Sequence, residues 1–394
     1  MKGRAIAFFL TVVIVVGTGA GYLVGYGNER TVTSVSTLIT ASTSTATLVS
    51  TELQTTTRTV NAATTTIWGA PIPVADVETG NVSIGGSPYV IAVNPNASRV
   101  YVAGGSNVLT VIDAVSHAVV ARVTLPAGSS SGIAIDCKTG TVYVLVEGGI
   151  VVVNGTTNAV VKELPVDFGS IVFDSSTDIL YGSPETNPFV SDSGFLVGVD
   201  ARTGAIRANV SIGYSAEEIV VNPQLNLIYA VGCNQRGLAC ESTVSVVNGT
   251  SARLVNKTSL GSEYYATATI DEKTGMVYVS GEAQLVALDP YGTVVFNNYP
   301  DTCGPFIGMA DDPASNQVIM ATQNYNLTLV YDGWFGNLVN MYSLPGVPQY
   351  VAFNSATNET YAIVSESLLA FHGAASAGHV NDTLMGAGQT CPPV

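Results

Sequence analysis

Between residue 70 and the C-terminal tail, apolar positions come in short runs rich in Val, Ile and Tyr, broken by turns of Asn, Asp, Pro, Ser and Gly. No stretch there sustains the apolar period of a helix, so strands are expected throughout. β-Branched and aromatic side chains pack well on a pleated surface. Tetrapeptides such as DCKT, DEKT and DSST supply the side-chain acceptors and the tolerance of positive φ that tight hairpins need. IAVNPNASRVYVAGGSNVLTVID, beginning at Ile91, therefore reads as a strand (IAV), a turn, a second strand (RVYVAG) and a third (VLTVID), with VVARVTL as a fourth.

The unit then repeats. IAIDCKTGTVYVLVEGGIVVVNG starts at Ile133, IVFDSSTDILYG at Ile171, IVVNPQLNLIYAVG at Ile219 and ATIDEKTGMVYVSG at Ala268. MADDPASNQVIMA from Met309 and VAFNSATNETYAIV from Val351 complete the set, with successive starts 42, 38, 48, 49, 41 and 42 residues apart by subtraction. A four-stranded unit at this period predicts an all-β, seven-bladed β-propeller over residues 70–373. The last repeat supplies only three strands, ending in SLLAFH. VADVETGNVSIGG, before the first repeat, supplies the missing fourth. Pairing it beside Leu368–Phe371 would join the two chain ends in one blade and remove exposed edges.

Val100-Tyr101-Val102, Val142-Tyr143-Val144, Ile228-Tyr229-Ala230 and Val277-Tyr278-Val279, with the Val-Asn-Pro turns at Val93–Pro95 and Val221–Pro223, carry a resemblance to the YVTN β-propeller family of archaeal surface-layer-type proteins and related bacterial periplasmic propellers. It covers roughly residues 75–373, and it implies the propeller fold while saying little about chemistry. Repeats three and four depart from the motif by long insertions, and repeat six has Val318-Ile319-Met320 where the tyrosine belongs.

The N-terminus sets the expected address. Lys2 and Arg4 precede an uncharged, mostly apolar run from Ala5 to Asn28, long enough to cross a bilayer as a helix with the N-terminus in the cytoplasm. A signal peptide cleaved near Gly17–Ala20 is the alternative for residues 1–30, and a prepilin-like cut near Gly3 a third. Residues 31–69 are mostly Ser/Thr-rich and resemble a glycosylated stalk; residues 374–394 form a tail. The expectation is display on the outer face of the cytoplasmic membrane, with secretion after cleavage as the alternative.

Charged residues make up only 11% of the chain, against an average near 25%, so another device must keep the surface soluble. Asn81, Asn96, Asn154, Asn209, Asn248, Asn256, Asn326, Asn358 and Asn381 are glycosylation acceptors by motif, though Asn154 and Asn248 also suit a plain turn role. Five cysteines fit an oxidising compartment. Cys233 and Cys240 flank the loop NQRGLA and are expected to pair. For the others, Cys137–Cys391 is the better match, with Cys303 left over, but sequence fixes no connectivity. A net charge of −15 disfavours nucleic acid as a partner.

Catalytic patterns are absent from the sequence. The three histidines, His117, His372 and His379, have no neighbours at triad or ligand spacing, and the glycine pairs Gly104-Gly105 and Gly148-Gly149 open no helix. No resident cofactor is expected, and a divalent cation such as calcium is the one ion considered. What remains is an acidic, aromatic face formed by the connections between blades and the second-to-third strand loops. Its candidate binding residues are Tyr214, Glu217, Glu218, Tyr264, Tyr265, Asp301, Phe306, Glu185 and Asp192. Simple solvation of loops in an acidic protein explains part of that pattern. The sharper reading is a non-catalytic or envelope-structural surface for a protein, glycan or cation at the cell surface. An anchored extracytoplasmic hydrolase, lactonase or oxidoreductase is the alternative.

Overall fold

A computed structural model describes residues 72–372, apart from 127, 185–193, 237–238, 263, 282–283 and 299–304, and three strands before them. Those three, Tyr22–Val24, Thr31–Thr37 and Leu53–Thr59, pair antiparallel in one sheet that belongs to a unit ending at Ile67. The helix expected over residues 1–30 is not formed at Tyr22–Val24. Its remainder, most of the stalk and the tail lie outside the described residues. Among the described residues no helix is long and apolar enough to cross a membrane.

The second unit is a ring of seven four-stranded antiparallel blades. Their first strands are Pro88–Asn94, Ser130–Asp136, Ser170–Asp174, Ser215–Asn222, Tyr265–Ile270, Phe306–Asp312 and Pro348–Asn354. These strands touch one another in cyclic order, and that of blade seven returns to that of blade one, so they line a central channel. The closing strand is Glu78–Ser83, antiparallel to Ser367–His372 with Leu368 opposite Val82, as the repeat pattern predicts. Just before it, Ile72–Pro73 adds in parallel to Leu338–Ser343 as a fifth strand of blade six.

Two devices recur around the ring. At the inner end of each first-to-second strand turn sits a buried Asx residue: Asn94, Asp136, Asp174, Asn222, Asp271, Asp312 and Asn354. Each side chain caps the following turn; the Asp271 carboxylate, for example, accepts from Lys273 N at 2.8 Å and from Thr274 Oγ1 at 2.7 Å. These acids are accounted for by local hydrogen bonding.

The second device gives the second-strand tyrosine of four blades a partner in the next blade. Tyr181, Tyr229, Tyr278 and Tyr361 lie on second strands, and each hydroxyl donates to a carbonyl in the third-to-fourth strand turn of the next blade. The acceptors are Gly249, Pro290, Gly333 and Ala114, at 3.1, 2.7, 3.0 and 3.2 Å. Each side chain is fully buried, so the hydroxyl needs its partner. Ile319 takes this position in blade six, facing blade seven. Blade seven draws its fourth strand from the other chain end, so it has no third-to-fourth turn to offer a carbonyl. An apolar side chain belongs there, and Ile319 packs into one cluster with Phe371 and Leu369.

Candidate functional site

First strands begin at the face bearing the blade connections. Six of the seven carry a β-bulge close to that end. A bulge leaves one residue outside the ladder and re-aims the side chains around it. From the register shifts, the extra residues are Tyr89, Ser131, Glu217, Ala266, Ile307 and Gln349. They ring the channel mouth at one height.

Within that ring a cluster of acids and phenols converges. Glu217 is the bulge residue of blade four, and the Tyr264 hydroxyl, just before blade five, donates to its carboxylate. Glu217 is exposed, yet partial desolvation by the surrounding protein raises its carboxyl despite the Tyr264 bond. Glu218 follows; burial first, and then the neighbouring Glu217 charge, push its carboxyl up to about 7. Tyr350 lies three blades away, immediately past the bulge of blade seven. Burial, then the charge of Glu218, then Tyr89, push its phenol up to about 12. Tyr264 is raised to about 12 by burial and by Glu217, with a smaller effect from Tyr350. The Tyr350 backbone is closely packed: a Cβ on Gly308 would stand 3.1 Å from its Cα. Tyr264 and Tyr350 are 39% and 36% exposed as whole residues, so part of each is available to a ligand.

Of the expected binding residues, the structure thus brings Glu217, Glu218 and Tyr264 together. Tyr214 and Phe306 are corrected to core. Tyr214 is 4% exposed, donates to Ala230 O at 2.7 Å and lies 2.9 Å from Ser245 Oγ, while Phe306 is 2% exposed and packs with Met309, Met320 and Leu327. Both sit at strand entries, where an aromatic ring fills the gap between neighbouring blades. Tyr265 opens the first strand of blade five. Glu185, Asp192 and Asp301 lie outside the described residues. Tyr89 and Tyr350 are the residues the sequence reading missed. Their signal was positional: in SPYVIAV and VPQYVAF each precedes the apolar repeat start at the bulge.

Asp311 breaks the fold's own rule. It stands directly before the Asx cap of blade six, where the other six blades have Val93, Ile135, Phe173, Val221, Ile270 and Phe353. Its Oδ1 is buried with no hydrogen-bond partner. Burial, then the charges of Asp271, Asp312 and Glu272, push the carboxyl up to about 8. Among the described residues no group of His, Cys, Asp and Glu is arranged to hold a metal ion.

Cys137 is a free thiol, which removes the expected Cys137–Cys391 pair; burial raises it, aided by Asp136 and Glu272. Cys233 is disulfide-bonded, and the hairpin register sets Cys240 opposite Gln235, two positions along the strand from Cys233. Cys303 and Cys391 lie outside the described residues. Among the sequons, Asn81, Asn96, Asn154 and Asn209 are exposed and Asn248, Asn256, Asn326 and Asn358 partly so, while Asn381 is not described. Asn256 already uses its amide nitrogen on Tyr291 O at 2.9 Å.

No protein-family model matches the chain, and no curated protein matches it. Solved structures do. One is similar to this chain with a TM-score of 0.64 at 14% identity, over 75% of this chain and 98% of its own, and is titled Kuenenia stuttgartiensis hydrazine synthase. Another, the β-propeller domain of Myceliophteria thermophila Cps50 (Swd1), gives 0.64 at 9% identity over 75% and 99%. At such identities the likeness speaks for architecture alone: this chain folds as a seven-bladed β-propeller.

Proposed function

We propose that the protein is a non-catalytic recognition module whose ligand contacts the channel mouth on the connection-bearing face, through a cationic group. The observation that supports this reading is the electrostatic coupling of Glu218 to Tyr350 at the channel mouth, beside the Glu217–Tyr264 hydrogen bond. Carboxylates give charge, and partly open phenol faces give cation–π attraction, a combination that suits an ammonium group on a protein or an amino sugar. A wider setting goes with it. The apolar N-terminal run serves as a membrane anchor, the Ser/Thr-rich segment as a stalk, the exposed sequons as glycan sites, and a Cys233–Cys240 bond as a staple of the blade-four hairpin. That setting matches membership of the YVTN-type surface propellers.

The test is calorimetric titration of hexalysine into the soluble ring. Binding should strengthen as pH rises through about 7, where Glu218 ionises. It should fall about tenfold in Glu218→Gln and in Tyr350→Ala, but not in Glu163→Gln on an outer strand. Equal binding by all three variants, or no pH dependence, would remove the mouth as the site.

A further inference from the structure

Blade seven is held together without a covalent hairpin, and one contact pair spans the join. His117 occupies the third-to-fourth strand turn of blade one, at φ 55°. The matching left-handed positions in other blades are Asn158, Gly204, Ala252, Gly292 and Gly336, none of which carries a ring. The imidazole of His117 lies flat on the closing strand: a Cβ placed on Gly80 would stand 2.4 Å from His117 Cγ. Its Nε2 reaches Glu359, on the second strand of blade seven, at 3.2 Å, with side-chain exposures of 14% and 7%. The Tyr361 hydroxyl lies 2.9 Å from the same carboxylate and 3.2 Å from Ala114 O, its single proton shared between the two acceptors. The His117–Glu359 pair is thus a clasp from blade one to blade seven that lies over the closing strand.

We infer that this clasp is an acid-released lock on the closing strand, and that once it opens, the strand Ser367–His372 accepts the Glu78–Ser83 segment of a second copy of this chain. A second copy is the occupant because the exposed edge is, by construction, complementary to that segment. Six other blades close through their own hairpins and offer no such exchange. The connector is short and tightly wound, with Gly85, Gly86 and Ser87 all at positive φ, and short hinges of this kind favour swapping over local reclosure.

The ionisable groups around the clasp are few. Glu359 faces His117 and Tyr361, with the hydroxyls of Thr79 on the closing strand and Thr357 on its own blade. Asp113, at the base of the His117 turn, is taken by Arg99 at 2.5 Å. Glu78 and His372 end the paired strands and sit at the surface. Burial alone would raise the Glu359 carboxyl, but the three hydroxyls and His117 outweigh it and hold it below the usual glutamate range. A depressed carboxyl contributes stability that is complete above the unfolded value of 4.5 and is lost as pH falls through the folded one. Protonated, Glu359 presents a donor to a histidine that, once charged, offers donors only.

The experiment follows incorporation of a fluorescent peptide spanning residues 72–87 into the folded chain, and of heavy-isotope chain into light, by native mass spectrometry. Wild type should exchange about tenfold or more slowly at pH 7.5 than once the pH has fallen through the folded Glu359 value, a ratio set by loss of a buried pair. His117→Ala should exchange rapidly at both pH values. Gly80→Ala should do the same by steric expulsion of the ring, and adding His117→Gly to it should restore heat stability. Equal exchange by wild type at both pH values, or a His117→Ala variant as slow as wild type, would overturn the clasp. Rapid peptide uptake without mixed-isotope dimers would overturn the second-copy assignment alone. If Gly80→Ala fails to fold, the His117→Ala comparison still decides.

Discussion

Replacing Asp311 by valine should stabilise the protein, and the gain should depend on pH. Valine is the residue that blades one and four carry at this position, in Val93 and Val221. An aspartate with an ordinary value of 3.8 is held neutral in the folded ring until about pH 8. Between those values the folded state binds more protons than the unfolded chain, so stability falls as pH rises through the window. At pH 7 the interval above the ordinary value is 3.2 units by subtraction. At about 1.4 kcal/mol per unit this gives an upper limit of roughly 4–5 kcal/mol. Partial solvent access lowers the expectation to about 2 kcal/mol, or roughly 4–8 °C in melting temperature. Urea unfolding at pH 4, 6, 7 and 8 measures it. The advantage of Asp311→Val should be small at pH 4 and grow towards pH 8, and Asp311→Asn should fall between the two, because its amide stays unpaired. A variant no more stable than wild type at pH 7, or a gain that ignores pH, would refute the account of this buried acid.

Two further outcomes are expected. Tyr278→Phe should lose about 1 kcal/mol because Gly333 O loses its donor, whereas Ile319→Tyr should also destabilise, since blade seven has no turn carbonyl to receive the hydroxyl; paired denaturant melts check both signs. Alkylation of the native and unfolded chain, followed by non-reducing peptide mapping, should label Cys137 only after unfolding and find Cys233 linked to Cys240. Cys240 recovered as a free thiol would break that pairing.

The ring was legible because its information is repeated. Seven copies of strand and turn reinforce one another, so Ile319 in place of tyrosine did not obscure blade six, and the incomplete last repeat pointed to the closing strand. The channel mouth was legible only in part. Glu217, Glu218 and Tyr264 carry charge or stand near it, which draws attention in sequence. Tyr214 and Phe306 look the same on paper, but a strand entry can turn an aromatic ring either inward between blades or outward into the mouth. The choice depends on the bulge, and a bulge has no residue signature of its own here. Tyr350 needed the ring to be closed before its distance from Glu218, 132 residues earlier by subtraction, became a short one. Asp311 was hidden for a different reason: read alone, Asp311-Asp312 is an ordinary turn, and only alignment of the seven blades shows an apolar slot filled by an acid.

The bulges have one more consequence, for how such a protein changes over time. A bulge residue sits outside the ladder, so its replacement disturbs neither register nor backbone pairing. The six present here are Tyr89, Ser131, Glu217, Ala266, Ile307 and Gln349, with no residue type used twice. Residue type differs from blade to blade at these positions, while the seven caps are all Asn or Asp. A scaffold built this way can acquire a new specificity by single substitutions at one height of the ring, most freely at exposed Glu217 and less so at Ile307, which also packs on the core between blades six and seven. A library randomised at those six sites alone would sample that route directly.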